Sequence, residues 1–154
     1  MLELYQERLK ELGKFAFATR TRILKPQIDR TYFHLVYATR HVQGLAEFRK
    51  VEKKFLAEQE QVRAAAKQST RVRKTNQGEL FSEAEADPNL RLLEEERALN
   101  SGHARNALVA KLKGSGPCPY DDVLPAMLEV PMIDEPAAKT LILDLRDKGC
   151  LLYT

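Results

Sequence analysis

The chain has 154 residues, one domain's length by the usual prior, with 44% hydrophobic and 31% charged residues and a net charge of +3. No apolar run approaches the roughly 18 residues of a membrane span, and the opening MLELYQERLK is neither a signal nor a transit peptide. Two cysteines, Cys118 and Cys150, make neither a disulfide framework nor a metal quartet. A membrane protein, a secreted disulfide scaffold and a fully disordered chain are therefore excluded, and a reducing cytoplasm is the expected setting.

Residues 2–13 predict an amphipathic helix, with Leu2, Tyr5, Leu9 and Leu12 on one face and Gly13 as its stop. From Lys14 to Leu24 the period changes to that of a strand, placing Phe15, Phe17 and Thr19 on one face. Pro26 marks a turn in KPQIDR. Thr31 to Thr39 (TYFHLVYAT) is apolar on both faces and rich in β-branched and aromatic residues, as a buried strand is. The short connection makes the two an antiparallel hairpin.

The helical period returns from Gln43 to about Lys67, with Leu45, Phe48, Phe55 and Val62 on one side. Its first half is expected to pack on the hairpin and its second half, AEQEQVRAAAK, to project. Residues 68–88 read as a flexible linker with Gly78 and Pro88 as breakers. Helices are then expected at 89–100, 103–113 and 120–129. A last helix at 137–148 has Asp134 as N-cap and Pro136 in its first turn, and CLLY at 150–153 is read as a short strand.

The charge is unevenly spread. Residues 1–75 hold 17 Lys+Arg against 8 Asp+Glu, a net +9, and residues 76–154 hold 8 against 14, a net −6. Such a split suggests two units, 1–67 and 89–154, with different surfaces. The basic half could meet nucleic acid, through Arg40 and His41 at the end of the second strand and Arg71, Arg73 and Lys74 in the basic run KQSTRVRK. A solvated helix face and linker is the plainer reading and the preferred one. His34 in its strand and His103 near Arg105 read as structural and surface residues, no two histidines stand at metal-ligand spacing, and no nucleophile elbow is present. No catalytic, metal or cofactor residue is assigned.

Leu4 to Leu12, Phe15 to Thr19, Tyr32 to Thr39 and Gly44-Leu45, with Tyr-Ala-Thr-Arg-His as one block, resemble the C-terminal stretch of the three-Cys-motif partner proteins. These are bacterial proteins with a region like class I methyltransferases. The resemblance covers residues 4 to about 55. It implies that the hairpin is the last antiparallel pair of a doubly wound sheet, and that the cofactor-binding part and the preceding parallel strands lie outside this chain. No Gly-rich turn after a strand stands within it.

The C-terminal unit resembles a winged helix-turn-helix, with DEPAAKTLILDLRDKG as the third helix and an apolar strand after it. That helix carries four acids and three bases, an unfavourable balance for phosphates and guanine edges. Gln77-Gly-Glu-Leu80-Phe81 resembles the bacterial sliding-clamp peptide, in which a Gln and a terminal Leu-Phe fill a pocket. A simple tacking role for Leu80 and Phe81 is preferred.

The expectation is thus an α+β chain, mostly α, in which a helix–hairpin–long helix remnant of a doubly wound sheet is followed by a small winged-helix-like unit. Its function is expected to be that of an accessory or protein-interaction segment, with a three-Cys-motif protein as one candidate partner and no cofactor. The alternatives are a nucleic-acid-binding winged helix or the tail of a SAM-dependent methyltransferase-like enzyme. A hairpin without its parallel strands is also expected to leave an apolar edge open and to self-associate.

Overall fold

The structure, a computed structural model, describes residues 1–75 and 88–148, with side chains described at 1–70 and 93–148. Its elements are α1 (Leu2–Gly13), β1 (Phe17–Leu24), β2 (Thr31–Thr39), α2 (Val42–Thr75), α3 (Pro88–Ser115), α4 (Tyr120–Leu128) and α5 (Glu135–Asp147). Among the described residues this is an α+β chain, mostly helical, with one two-stranded antiparallel sheet. None of these helices is long and apolar enough to cross a membrane.

The hairpin forms as the alternation requires. Phe17 pairs with Thr39, Thr19 with Tyr37, Thr21 with Leu35 and Ile23 with Phe33, and a bulge between Ile23 and Leu24 shifts the register near the turn. Cross-strand partners share a face. One face therefore carries Thr19, Tyr37, Thr21, Leu35, Ile23 and Phe33, and the other Ala18, Ala38, Arg20, Val36, Arg22 and His34. Burial corrects the expectation for β2. β1 holds four buried residues, whereas no residue of β2 is buried.

The start of β1 is also later than expected. Lys14, not Gly13, takes the left-handed backbone at φ 51° that ends α1, and the Phe15 amide donates to the Lys10 carbonyl at 3.1 Å. A Cβ on Gly13 would stand 2.3 Å from the Phe15 ring, so the glycine serves close approach rather than handedness. α1 contributes no buried residue, and Tyr5 and Leu12 of its expected inner stripe face solvent.

α2 differs most from expectation. It continues to Thr75, so residues 68–75, read as the start of a linker, are helical. Its second half does not simply project, because Gln59, Arg63 and Lys67 bond to the hairpin. The buried side of its first six turns is Leu45, Arg49, Glu52, Leu56, Gln59 and Arg63, a stripe at helical spacing that is mostly polar. Phe55 and Val62, expected inside, are 40% and 60% exposed. At 100° per residue they lie with Phe48 about 80° round from the buried stripe.

α3 is one helix where two were expected. Asn100, Ser101 and Gly102 do not break it, because Leu93, Asn100, Ala104 and Leu108 bury one continuous side through that point. α4 begins past Pro119 with Asp121 and Asp122 in its first turn, as read. α5 is capped by Asp134, whose carboxylate accepts from the Ala137 amide at 3.0 Å.

The core gathers Leu45 of α2 with Ala104 and Leu108 of α3, Val123, Leu124, Met127 and Leu128 of α4, Ile133, and Ala138, Ile142 and Leu145 of α5. Phe17 and Val42 pack against it. The segments expected as separate units at 1–67 and 89–154 thus meet in a shared core. The linker segment 76–87 and the strand expected at 150–153 lie outside the described residues.

Candidate functional site

Two features stand apart from ordinary packing: a buried polar centre under the hairpin, and a strip along β2 that the described residues leave exposed. The centre is built on Arg49. Its Nε donates to the Leu128 carbonyl at 2.8 Å, one terminal nitrogen to Glu52 at 2.6 Å, and the other to the Glu129 carbonyl at 3.1 Å and to the Thr19 hydroxyl. Both Arg49 and Glu52 are almost wholly shielded from solvent. Burial pulls the Arg49 guanidinium below its ordinary range, and Glu52 acts against that shift. Glu52 also accepts from the Met132 amide at 3.1 Å, beside a left-handed turn at Met132.

Glu129 extends the centre to the outer edge of β1. Its side chain accepts from the Ala18 amide at 3.0 Å and pairs with Lys10 of α1. Gln6 of α1 donates to the Ala18 carbonyl at 3.2 Å. This outer edge is therefore occupied by side chains from two directions, with Gln59 accepting from the Leu24 amide further along. Every partner here is spent on holding elements together. The centre is a fastening between the hairpin, α2 and α4, and its chemistry is structural.

The opposite edge, on β2, is different. The Ala18 amide and carbonyl both point away from β2, so in an antiparallel pair those of its partner Ala38 point away from β1. The alternation then puts the outward main-chain groups of β2 at His34, Val36 and Ala38. Among the described residues no strand or side chain bonds them. Beside that edge, Phe33 and Leu35 are each 47% exposed. The flank of α2 above them starts at Phe48, whose ring stacks on Tyr37 at 4.7 Å, and runs on to Phe55 and Val62 at seven-residue spacing. The result is an apolar strip bordered by main chain that no described residue pairs.

Burial, then the neighbouring charges of Arg20 and Arg22, hold His34 below the usual imidazole value of 6.5. The ring is neutral at pH 7, and its Nδ1 is buried without a partner. Thr31–Thr39 contains no Lys, Arg, Asp or Glu. Natural edge strands are commonly protected by such charges.

The residues singled out from the sequence fall as follows. Arg40 lies over the Phe15 ring and donates to the Gly13 and Lys14 carbonyls at 3.3 Å, closing the end of α1. His41 is exposed, its amide tied to the Thr39 hydroxyl. Arg71, Arg73 and Lys74 sit on the last turns of α2, and their side chains lie outside the described residues, as do Gln77, Leu80, Phe81 and Cys150 entirely. The bases of α5 are engaged: Lys139 with Glu135, Arg146 with Asp147 and Lys148 with Asp144, each at 2.9 Å. Among the described residues no group of three His, Cys, Asp or Glu is placed to hold a metal ion.

No family model, curated protein or solved structure matches the chain. Its residues and geometry therefore carry the functional reading. The sequence reading missed the Arg49–Glu52 centre altogether. Its signal was present as charged residues three apart within a stripe that also holds Leu45 and Leu56, but exposed ion pairs at that spacing are common.

Proposed function

We propose that the chain is a protein-interaction segment of a bacterial protein similar to the three-Cys-motif partners, acting by docking rather than by catalysis. The observation that carries this reading is the β2 edge, uncharged over nine residues and flanked by exposed Phe33, Leu35, Phe55 and Val62. Contiguous exposed apolar surface beside open main chain is what β-strand addition uses, with the main chain giving affinity and side-chain pockets giving selection. The resemblance to the partner family is in keeping with this reading, since it implies a hairpin built to end a larger sheet. The paired bases of α5 weigh against the winged-helix alternative, in which that helix would offer free cations to phosphates.

Photo-crosslinking tests the reading. Benzoylphenylalanine is placed in living bacteria at Leu35 or Phe55, and as a control at Ala57, exposed on the opposite side of α2. The expected result is one discrete protein adduct from Leu35 and Phe55 and none from Ala57. No adduct from either position, or equal labelling from all three, overturns it.

A further inference from the structure

We infer that the occupant of the β2 edge is the β2 edge of a second copy of this chain, giving a four-stranded antiparallel sheet across a two-fold axis. The inference rests on the docking reading above and names its partner.

The geometry restricts the pairing narrowly. Only His34, Val36 and Ala38 aim their main-chain groups outward, so a symmetric antiparallel partner must meet those three with its own three. Placing Val36 on the axis does this completely. Val36 then faces Val36 of the second copy, and His34 faces Ala38 in both directions, so every outward amide and carbonyl from 34 to 38 is satisfied. Shifting the axis to Leu35 keeps the alternation but draws Tyr32 opposite Ala38. Tyr32 is the unmatched residue at the bulge, since Phe33 pairs with Ile23 and Thr31 with Leu24. The register on Val36 is therefore the better one.

The side chains agree with this register. On the α2 face Leu35 meets Tyr37 and Phe33 meets Thr39 of the other copy. On the far face Val36 meets Val36 and neutral His34 meets Ala38. No like charges oppose one another, because the strand has no formal charge to repel its own image. An isologous interface requires this kind of self-complementarity.

The helices also fit. α2 lies over β1, as its bonds to Thr19 and Leu24 require. Strands in a sheet are about 4.8 Å apart, so the two copies of β1 would lie roughly 14 Å apart across the joined sheet. Helices pack at about 8–10 Å, so the two copies of α2 run side by side on one face without collision. Phe55, two turns on from the Phe48 that stacks on Tyr37, faces that space from each copy, whereas Val62 stands beside Arg63, which bonds to Ile28 and Asp29 in the turn. Phe33, Leu35 and Phe55, exposed in one copy, thus meet apolar surface of the other.

Sedimentation of the full chain from about 1 to 100 µM reads the mass directly. The expected result is a shift from 17.6 kDa toward twice that value. Leu35→Lys, an exposed site that the fold tolerates, should raise the dimer dissociation constant at least tenfold with an unchanged circular dichroism spectrum. Val36→Cys, in a background with Cys118→Ser and Cys150→Ser, should form a disulfide-linked dimer under mild oxidation. Facing hydrogen-bonded residues stand about 5.5 Å apart between Cα atoms, within disulfide reach. Cysteine at Ala57 should not. A chain that stays monomeric at 100 µM, or a dimer unaffected by Leu35→Lys and not linked through position 36, overturns the inference. If that monomer still gives a discrete adduct with a different protein from Phe55, the docking reading survives and the second copy is the wrong partner. If neither forms, both fail.

Discussion

Replacing Arg49 by Met keeps the length of the side chain and removes all its donors. The guanidinium serves the Leu128 and Glu129 carbonyls, the Thr19 hydroxyl and the Glu52 carboxylate, and it is fully buried. Its loss strands Glu52 as an uncompensated charge whose Oε1 already has no partner. Breaking a buried pair from one side costs about 3–5 kcal/mol. With a urea m-value near 2 kcal/mol/M, the midpoint should fall by roughly 1.5–2.5 M. Glu52→Gln made together with Arg49→Met removes the stranded charge and keeps an acceptor for the Met132 amide. The double variant should therefore recover at least about 1 kcal/mol of the loss, within the coupling range of contacting residues. Urea unfolding of the four proteins, followed by circular dichroism, completes the cycle. A loss below about 1 kcal/mol for Arg49→Met, or a double variant as unstable as the summed singles, would refute the account of this centre.

One substitution should act in opposite directions at two helical glycines. Gly102→Ala should stabilise by about 0.5–1 kcal/mol through helix propensity, since a Cβ there meets nothing within 4 Å. Gly44→Ala should destabilise, because its Cβ would stand 2.7 Å from the Thr39 hydroxyl, itself bonded to the His41 amide; thermal melts decide both signs. Asp134→Ala should cost about 0.5–2 kcal/mol by removing the cap of α5, and faster amide exchange confined at first to residues 135–138 would accompany it. Asp29 is held below its ordinary 3.8, first by the Lys67 hydrogen bond and then, against desolvation, by the charges of Lys67 and Arg63. A depressed carboxyl contributes stability that is fully present above 3.8 and lost as pH falls through its lower folded value. The gap in urea midpoint between the wild type and Asp29→Asn should thus hold steady from pH 7 to about 5 and close below 3.8. A gap that widens in acid would reverse the sign.

The hairpin was legible because β alternation and a proline turn are local signals, and its register follows from the short loop. Asp134 was equally plain, as a capping residue two positions before a proline. The inward side of α2 was not legible. Periodicity assigns Phe48, Phe55 and Val62 to the core by hydrophobicity, yet the hairpin presents Thr19, the Leu24 amide and the Asp29 carboxylate to that helix. Such groups call for Arg49, Gln59 and Arg63 instead. The same partners explain why the second half of α2 stays docked. The α3 break was expected from Asn100 to Gly102, but about 1 kcal/mol of glycine cost is outweighed by burying Leu93, Ala104 and Leu108 on one continuous side. The open edge was an expectation that rested on the resemblance; the outward residues of β2 follow instead from the Ala18 main chain, which is held from the far side by Gln6 and Glu129.

Residue-resolved amide exchange by NMR tests the docking surface most directly. In dilute solution the amides of His34, Val36 and Ala38 should exchange freely, while those of Phe33, Leu35 and Tyr37, turned toward β1, stay protected. Raising the concentration, or adding the protein captured through Phe55, should protect the first three and leave the others unchanged. Equal protection of all six amides at the lowest concentration would mean that the edge is already covered, and would contradict the account.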